Sequence, residues 1–188
     1  SITARTAESS PSVEDMAAHL NGRLDAFARV QSAVTRNPDA GVDIAAMVSD
    51  ELLVHAAHEG EQLSIDGPEI SLWPKAAESF SLAIHELATN AVKHGALTAG
   101  NGKRGKIAVK WKLNGSGDGK ALRFEWVENG LDGKLAKPTR SGFGMELLTR
   151  ILPYDLGAKT KVEFPATGLR FLMDLPANHV AGTREKRS

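Results

Sequence analysis

Between Ser81 and Gly95 the chain reads Ser-Leu-Ala-Ile-His-Glu-Leu-Ala-Thr-Asn-Ala-Val-Lys-His-Gly. At about 100° per residue, Glu86, Asn90 and Lys93 share one stripe of a helix, set about 120° from an apolar stripe of Phe80, Ile84, Leu87 and Ala91. A carboxylate, an amide and an ammonium on one face suit phosphate chemistry. Mg²⁺ prefers oxygen ligands and keeps several waters, so an Asn carbonyl beside a Glu fits a phosphate-bound ion, and Lys offsets phosphate charge. A solvated helix face ending at a glycine cap presents the same stripe. Asn is a poor mid-helix residue, which favours the functional reading. A zinc-protease helix is excluded, because His-Glu-x-x-His needs a second histidine where Thr89 stands.

A second group of residues is Trp126-Val127-Glu128-Asn129-Gly130. Strand parity puts Glu128 on the face of Leu122, Phe124 and Trp126, which should point into the core. A carboxylate there is costly without a partner. At the mouth of an apolar pocket it would accept a hydrogen bond from the exocyclic amino group of adenine; the alternative is that it bends into solvent where the strand ends. A third group, Gly142-Phe143-Gly144, stands directly before an apolar-periodic helix, where close backbone approach and free N–H groups favour a phosphate. No buried strand of a βαβ unit leads into it and no Gly-Lys-Ser/Thr follows, so it is neither a Rossmann fingerprint nor a P-loop. The intervening loop carries Asp132, Lys134, Lys137 and Arg140 and is a candidate lid over phosphates.

The elements that must position these groups are legible around them. Ser12 caps a helix from about Val13 to Arg36, whose apolar residues Met16, Leu20, Leu24, Phe27, Val30 and Val34 make one packing stripe. Residues 37–41 end it, and Asp43 caps a second helix running to about His55 or His58. Residues 61–65 and 69–72 are short strands joined by an Asp66-Gly67-Pro68 turn, and Pro74 suits the first turn of the long helix. Two hairpins are predicted: Ile107–Leu113 with Leu122–Trp126, and Lys159–Phe164 with Leu169–Leu175. A helix from Gly144 to about Leu152 lies between them. This order predicts an α+β fold, a two-layer sandwich with helices on one face of a largely antiparallel sheet.

The 188 residues carry 23 basic and 23 acidic side chains, so the overall charge gives no reason to expect nucleic acid or an anionic membrane as partner. The absence of cysteine excludes thiolate chemistry and fits a cytoplasmic setting, and no apolar run has the roughly 20 residues of a membrane span. Residues 179–188 are expected to be a flexible polar tail.

In combination and in this order, the motifs resemble the nucleotide-binding boxes of the ATPase superfamily of gyrase, heat-shock 90 chaperones and histidine kinases. His85-Glu86-Leu87-x-x-Asn90-Ala91-x-Lys93-His94-Gly95 is similar to the N-box of HWE-type sensor histidine kinases. Trp126-x-Glu128 resembles that subgroup's adenine box, and Gly142-Phe143-Gly144 its second glycine box. Gly22 to Arg29 resembles the second helix of the family's dimerisation hairpin.

The resemblance implies ATP and Mg²⁺ as cofactors. It implies Asn90 as metal ligand, Glu86 as the residue assisting phosphoryl transfer, and Lys93 and His94 at the phosphates. Glu128 would bind adenine, and Gly130, Gly142, Phe143 and Gly144 would form the pocket. It divides the chain into a partial dimerisation and phosphotransfer hairpin (1–40), a catalytic domain (41–178) and the tail. A homodimer through that hairpin and the receiver domain of a response regulator are the implied partners. The phosphoacceptor histidine is expected upstream of Ser1, with His19 a surface or interface residue. Two other readings remain open: a serine kinase of the anti-sigma-factor type, and a phosphotransfer module whose pocket has decayed. The roles of His85 and Trp126 are not legible.

Overall fold

The computed structural model describes residues 13–54, 62–98, 105–116, 120–130 and 142–184. The candidate lid lies outside these residues. Helix α1 (Val13–Arg36) leads through the two-residue strand β1 (Val42–Asp43) into α2 (Ile44–Val54). Asp43 caps α2 as expected, its Oδ1 accepting the Ala46 N–H at 2.8 Å. Strands β2 (Leu63–Asp66) and β3 (Glu69–Leu72) follow, then the long helix α3 (Pro74–Lys93) with proline in its first turn. Strands β4 (Lys106–Asn114) and β5 (Ala121–Asn129) form the first predicted hairpin.

A helical stretch begins with α4 (Phe143–Glu146), widens into a π-helical turn over Leu147–Ile151, and ends as α5 (Leu152–Leu156). It runs one turn beyond its expected end, to Gly157, whose φ of +62° is the left-handed conformation that closes helices. Strands β6 (Lys159–Glu163) and β7 (Arg170–Pro176) make the second hairpin, and β8 (Val180–Arg184) closes the described chain.

The main sheet has five strands in the order β2-β4-β5-β7-β6, antiparallel except for the β2–β4 pair. Its inner face is built by register: Val109, Trp126 and Phe171 lie abreast, as do Trp111, Phe124 and Met173. Helix α3 covers this face. Phe80 meets Phe124 edge-on with ring centroids 4.9 Å apart, and Ile84, Leu87 and Ala91 are fully buried, as the apolar stripe requires. Burying each large apolar side chain is worth about 1.5–3 kcal/mol, so this layer contact anchors α3 firmly on the sheet.

Three expectations are corrected. The strands do not form a single sheet: the chain leaves the main sheet after Asp66, and β3 enters a separate three-stranded sheet, β1-β3-β8. Val180–Arg184, expected in a flexible tail, pairs antiparallel with β3 in that sheet; residues 185–188 lie outside the described residues. The predicted stripe of α1 packs only in part: Val30 is buried and Val34 packs against the core, but Leu24 and Phe27 are 56% and 40% exposed, and Arg23 and Ala26 are buried in their place. The reason is close approach: a Cβ on Gly22 would lie 2.5 Å from the His85 ring, so small residues set where α1 meets α3, and bulky ones flank the seam.

Candidate functional site

Glu86 sits on the buried side of α3, where solvation is replaced by a specific partner. Its Oε1 accepts the Arg23 Nε–H at 2.7 Å, and both side chains are almost fully buried. Arg23 also lies over the Phe143 ring, 4.1 Å from its centroid, so one guanidinium joins α1, α3 and α4. One turn along α3, Asn90 is half-buried and Lys93 is exposed, with the Lys93 ammonium donating to Nε2 of His19. Burial of the His19 ring, then the Lys93 charge, holds the His19 pKa below its ordinary value, consistent with a neutral acceptor. His94 is exposed at the end of α3, its amide donating to the Asn90 carbonyl at 2.8 Å.

Glu128 points inward, as strand parity predicts, and is 1% exposed. Ala96, just past α3, donates its amide to Oε2 at 3.0 Å, and the Trp126 indole donates to Oε1 at 3.1 Å. Burial raises the Glu128 pKa above the usual carboxylate value, and the two N–H donors partly oppose that rise. Gly130 follows with φ +93°, a conformation that turns the chain sharply out of β5.

The three motifs meet through two glycines. A Cβ at Gly95 would lie 2.1 Å from Oε2 of Glu128, and one at Gly144 would lie 2.6 Å from Oε2 of Glu86. Glycine at each position is what lets the C-terminal end of α3 approach β5 and the turn around Glu86 approach the glycine box. Gly142 precedes α4 and accepts the Glu146 amide at 3.1 Å, with Phe143 and Gly144 buried behind it.

Sequence reasoning missed Arg23, Glu51 and Arg29. Glu51 Oε1 lies 2.7 Å from Nδ1 of His85, and Arg29 donates to the other Glu51 oxygen. The His85 side chain therefore pins α1 and α2 to α3. A usable signal was present: Gly22-Arg23, then Ala26 and Val30, mark a close-packed helix seam with a charge set into it.

Residues 1–69 match the profile described as HWE histidine kinase. A blue-light-activated histidine kinase of Brucella anthropi is 32% identical over 147 residues, which cover 78% of this chain and 29% of that protein. Among solved structures, the blue-light activated histidine kinase of Erythrobacter litoralis superposes with a TM-score of 0.63 at 17% identity, covering 85% of this chain and 54% of that one. Its histidine kinase domain gives 0.60 at 18% identity, covering 88% and 80%. The chain is similar to HWE histidine kinases.

The two-layer sandwich is accordingly the fold of histidine kinase catalytic domains. The chain spans about 29% of the length of the Brucella relative. The two residues whose roles sequence left open both act by hydrogen bonding: His85 on Glu51, and Trp126 on Glu128. Among the described residues no helix is long and apolar enough to cross a membrane.

Proposed function

We propose that this chain binds Mg²⁺-ATP between the ends of α3 and β5 and the glycine box, as the catalytic part of an HWE-type two-component sensor histidine kinase. The γ-phosphate would pass to a histidine of the kinase, and from there to the receiver domain of a response regulator. The observation that carries the reading is the double approach of Gly95 to Glu128 and of Gly144 to Glu86, which draws all three motifs around one site.

In this reading Glu128 accepts a hydrogen bond from the adenine amino group at the buried end. Gly130, Gly142, Phe143 and Gly144 border the pocket, where backbone can approach the nucleotide without side-chain obstruction. Lys93 and His94, exposed at the end of α3, contact phosphates. Asn90 offers the hard oxygen for Mg²⁺. Among the described residues no cluster of three or more His, Cys, Asp or Glu could hold a metal alone, which fits an ion that relies on phosphates and water for its other ligands. When bound, Mg²⁺ neutralises phosphate charge. The protein's own contribution is positioning, the main requirement of phosphoryl transfer. Glu86, with Oε1 held by Arg23 and Oε2 on the Gly144 side, assists at the transferring group. The exposed Leu24 and Phe27 on α1 support a homodimer through a helical hairpin.

Asn90→Ala tests the metal role. The Mg²⁺-dependent part of nucleotide affinity should vanish while the thermal melt stays near wild type. Unchanged affinity in Mg²⁺ would remove Asn90 from the site.

A further inference from the structure

Trp126 is fully buried, yet its indole N–H does more than fill the core. It donates to one oxygen of Glu128 while the Ala96 amide donates to the other, at 3.1 and 3.0 Å. The two donors come from different elements, β5 and the turn after α3, and each oxygen has one. Gly95 closes on Oε2 and Gly168 closes on the Glu128 carbonyl, where a Cβ would lie 1.8 Å away, so the glutamate is confined from both sides.

We propose that Trp126 is a positioning residue for base recognition: with the Ala96 amide it fixes the Glu128 carboxylate in one orientation as an acceptor and thereby sets preference for adenine over guanine nucleotides. This rests on the reading of Glu128 as the base contact. The chemistry is that of lone pairs. A carboxylate already holding one donor per oxygen has acceptor capacity left and no proton to give. Adenine presents an amino donor where guanine presents a carbonyl, so the held carboxylate attracts one and repels the other. A protonated Glu128 would instead donate and could satisfy the guanine carbonyl.

Burial already favours the protonated form, and the Trp126 and Ala96 N–H groups oppose it. Groups packed on Glu128 from the neighbouring elements are Ile107 on β4, Gly95 and Ala96 after α3, and Gly168 and Leu169 before β7, none of them titratable. The titratable residues adjoining them, His94 and Lys106, are exposed. The indole N–H is therefore, after the Ala96 amide, the second of the two donors that hold the charged form against burial.

The test measures affinity for non-hydrolysable ATP and GTP analogues from about pH 5 to 8.5, on the side of the ordinary carboxyl value toward which burial shifts Glu128. It compares wild type, Trp126→Phe, Glu128→Gln, and Trp126→3-benzothienylalanine, which keeps the bicyclic shape without the N–H. Both Trp126 variants should lower the ATP-over-GTP ratio by roughly tenfold, the size expected for a charge-assisted hydrogen bond. They should also move the acid-side loss of ATP binding to higher pH. Glu128→Gln should abolish that loss. A benzothienyl variant with wild-type ratio and pH profile, alongside an impaired Glu128→Gln, would overturn the positioning role. Wild-type preference in Glu128→Gln would instead overturn the reading of Glu128 itself.

Discussion

The Arg23 side chain donates its Nε–H to Oε1 of Glu86 at 2.7 Å, joining α1 to α3 across a sequence separation of 63 residues. A buried carboxylate needs a partner, and here that partner comes from a helix outside the three motifs. Since the same guanidinium lies over Phe143, the seating of α1 is coupled to both Glu86 and the glycine box.

Removing Arg23 should therefore leave an uncompensated buried charge. Arg23→Ala is expected to cost roughly 3–5 kcal/mol in urea unfolding, and the double change Arg23→Met, Glu86→Leu to recover most of it. The double variant should be folded and inactive, separating stability from chemistry. A loss below about 1 kcal/mol in the single variant would contradict the buried-pair account.

His85 is expected to act on packing. His85→Ala removes its bond to Glu51 and its contact with Gly22, and amide exchange in α1 and α2 should accelerate by roughly tenfold or more, the equivalent of one to two hydrogen bonds. Unchanged protection of α1 would show that this histidine does not pin the helices.

Glu128 should make stability depend on pH in a defined direction. Its pKa in the folded chain lies above the ordinary 4.5, so the folded state holds this proton more tightly than the unfolded one. Its contribution is most favourable below that ordinary value and is lost as pH rises through the raised one. Glu128→Gln, which carries no charge, should gain stability relative to wild type as pH rises from the ordinary 4.5 through the raised value. A gap between the two melting temperatures that stays constant across that range would contradict the assignment.

Local physics made much of this legible. Asp43 and Pro74 announce their helices, and alternation fixes both hairpins and the inward direction of Glu128. The rest depends on contacts between distant segments. A two-residue strand such as β1 has no period to read, and Val180–Arg184 is ordered because β3 offers an edge to it. The packing side of α1 is set by how near Gly22 lets it come to His85, against the pull of its larger apolar residues. Arg23 carries no mark in the sequence that names Glu86 as its partner.

The most direct test of the central claim is isothermal titration of this chain with a non-hydrolysable ATP analogue, with and without Mg²⁺, and with the GTP analogue as control. The account predicts adenine-selective binding strengthened by Mg²⁺. No binding at millimolar nucleotide, or equal binding of both bases, would contradict it.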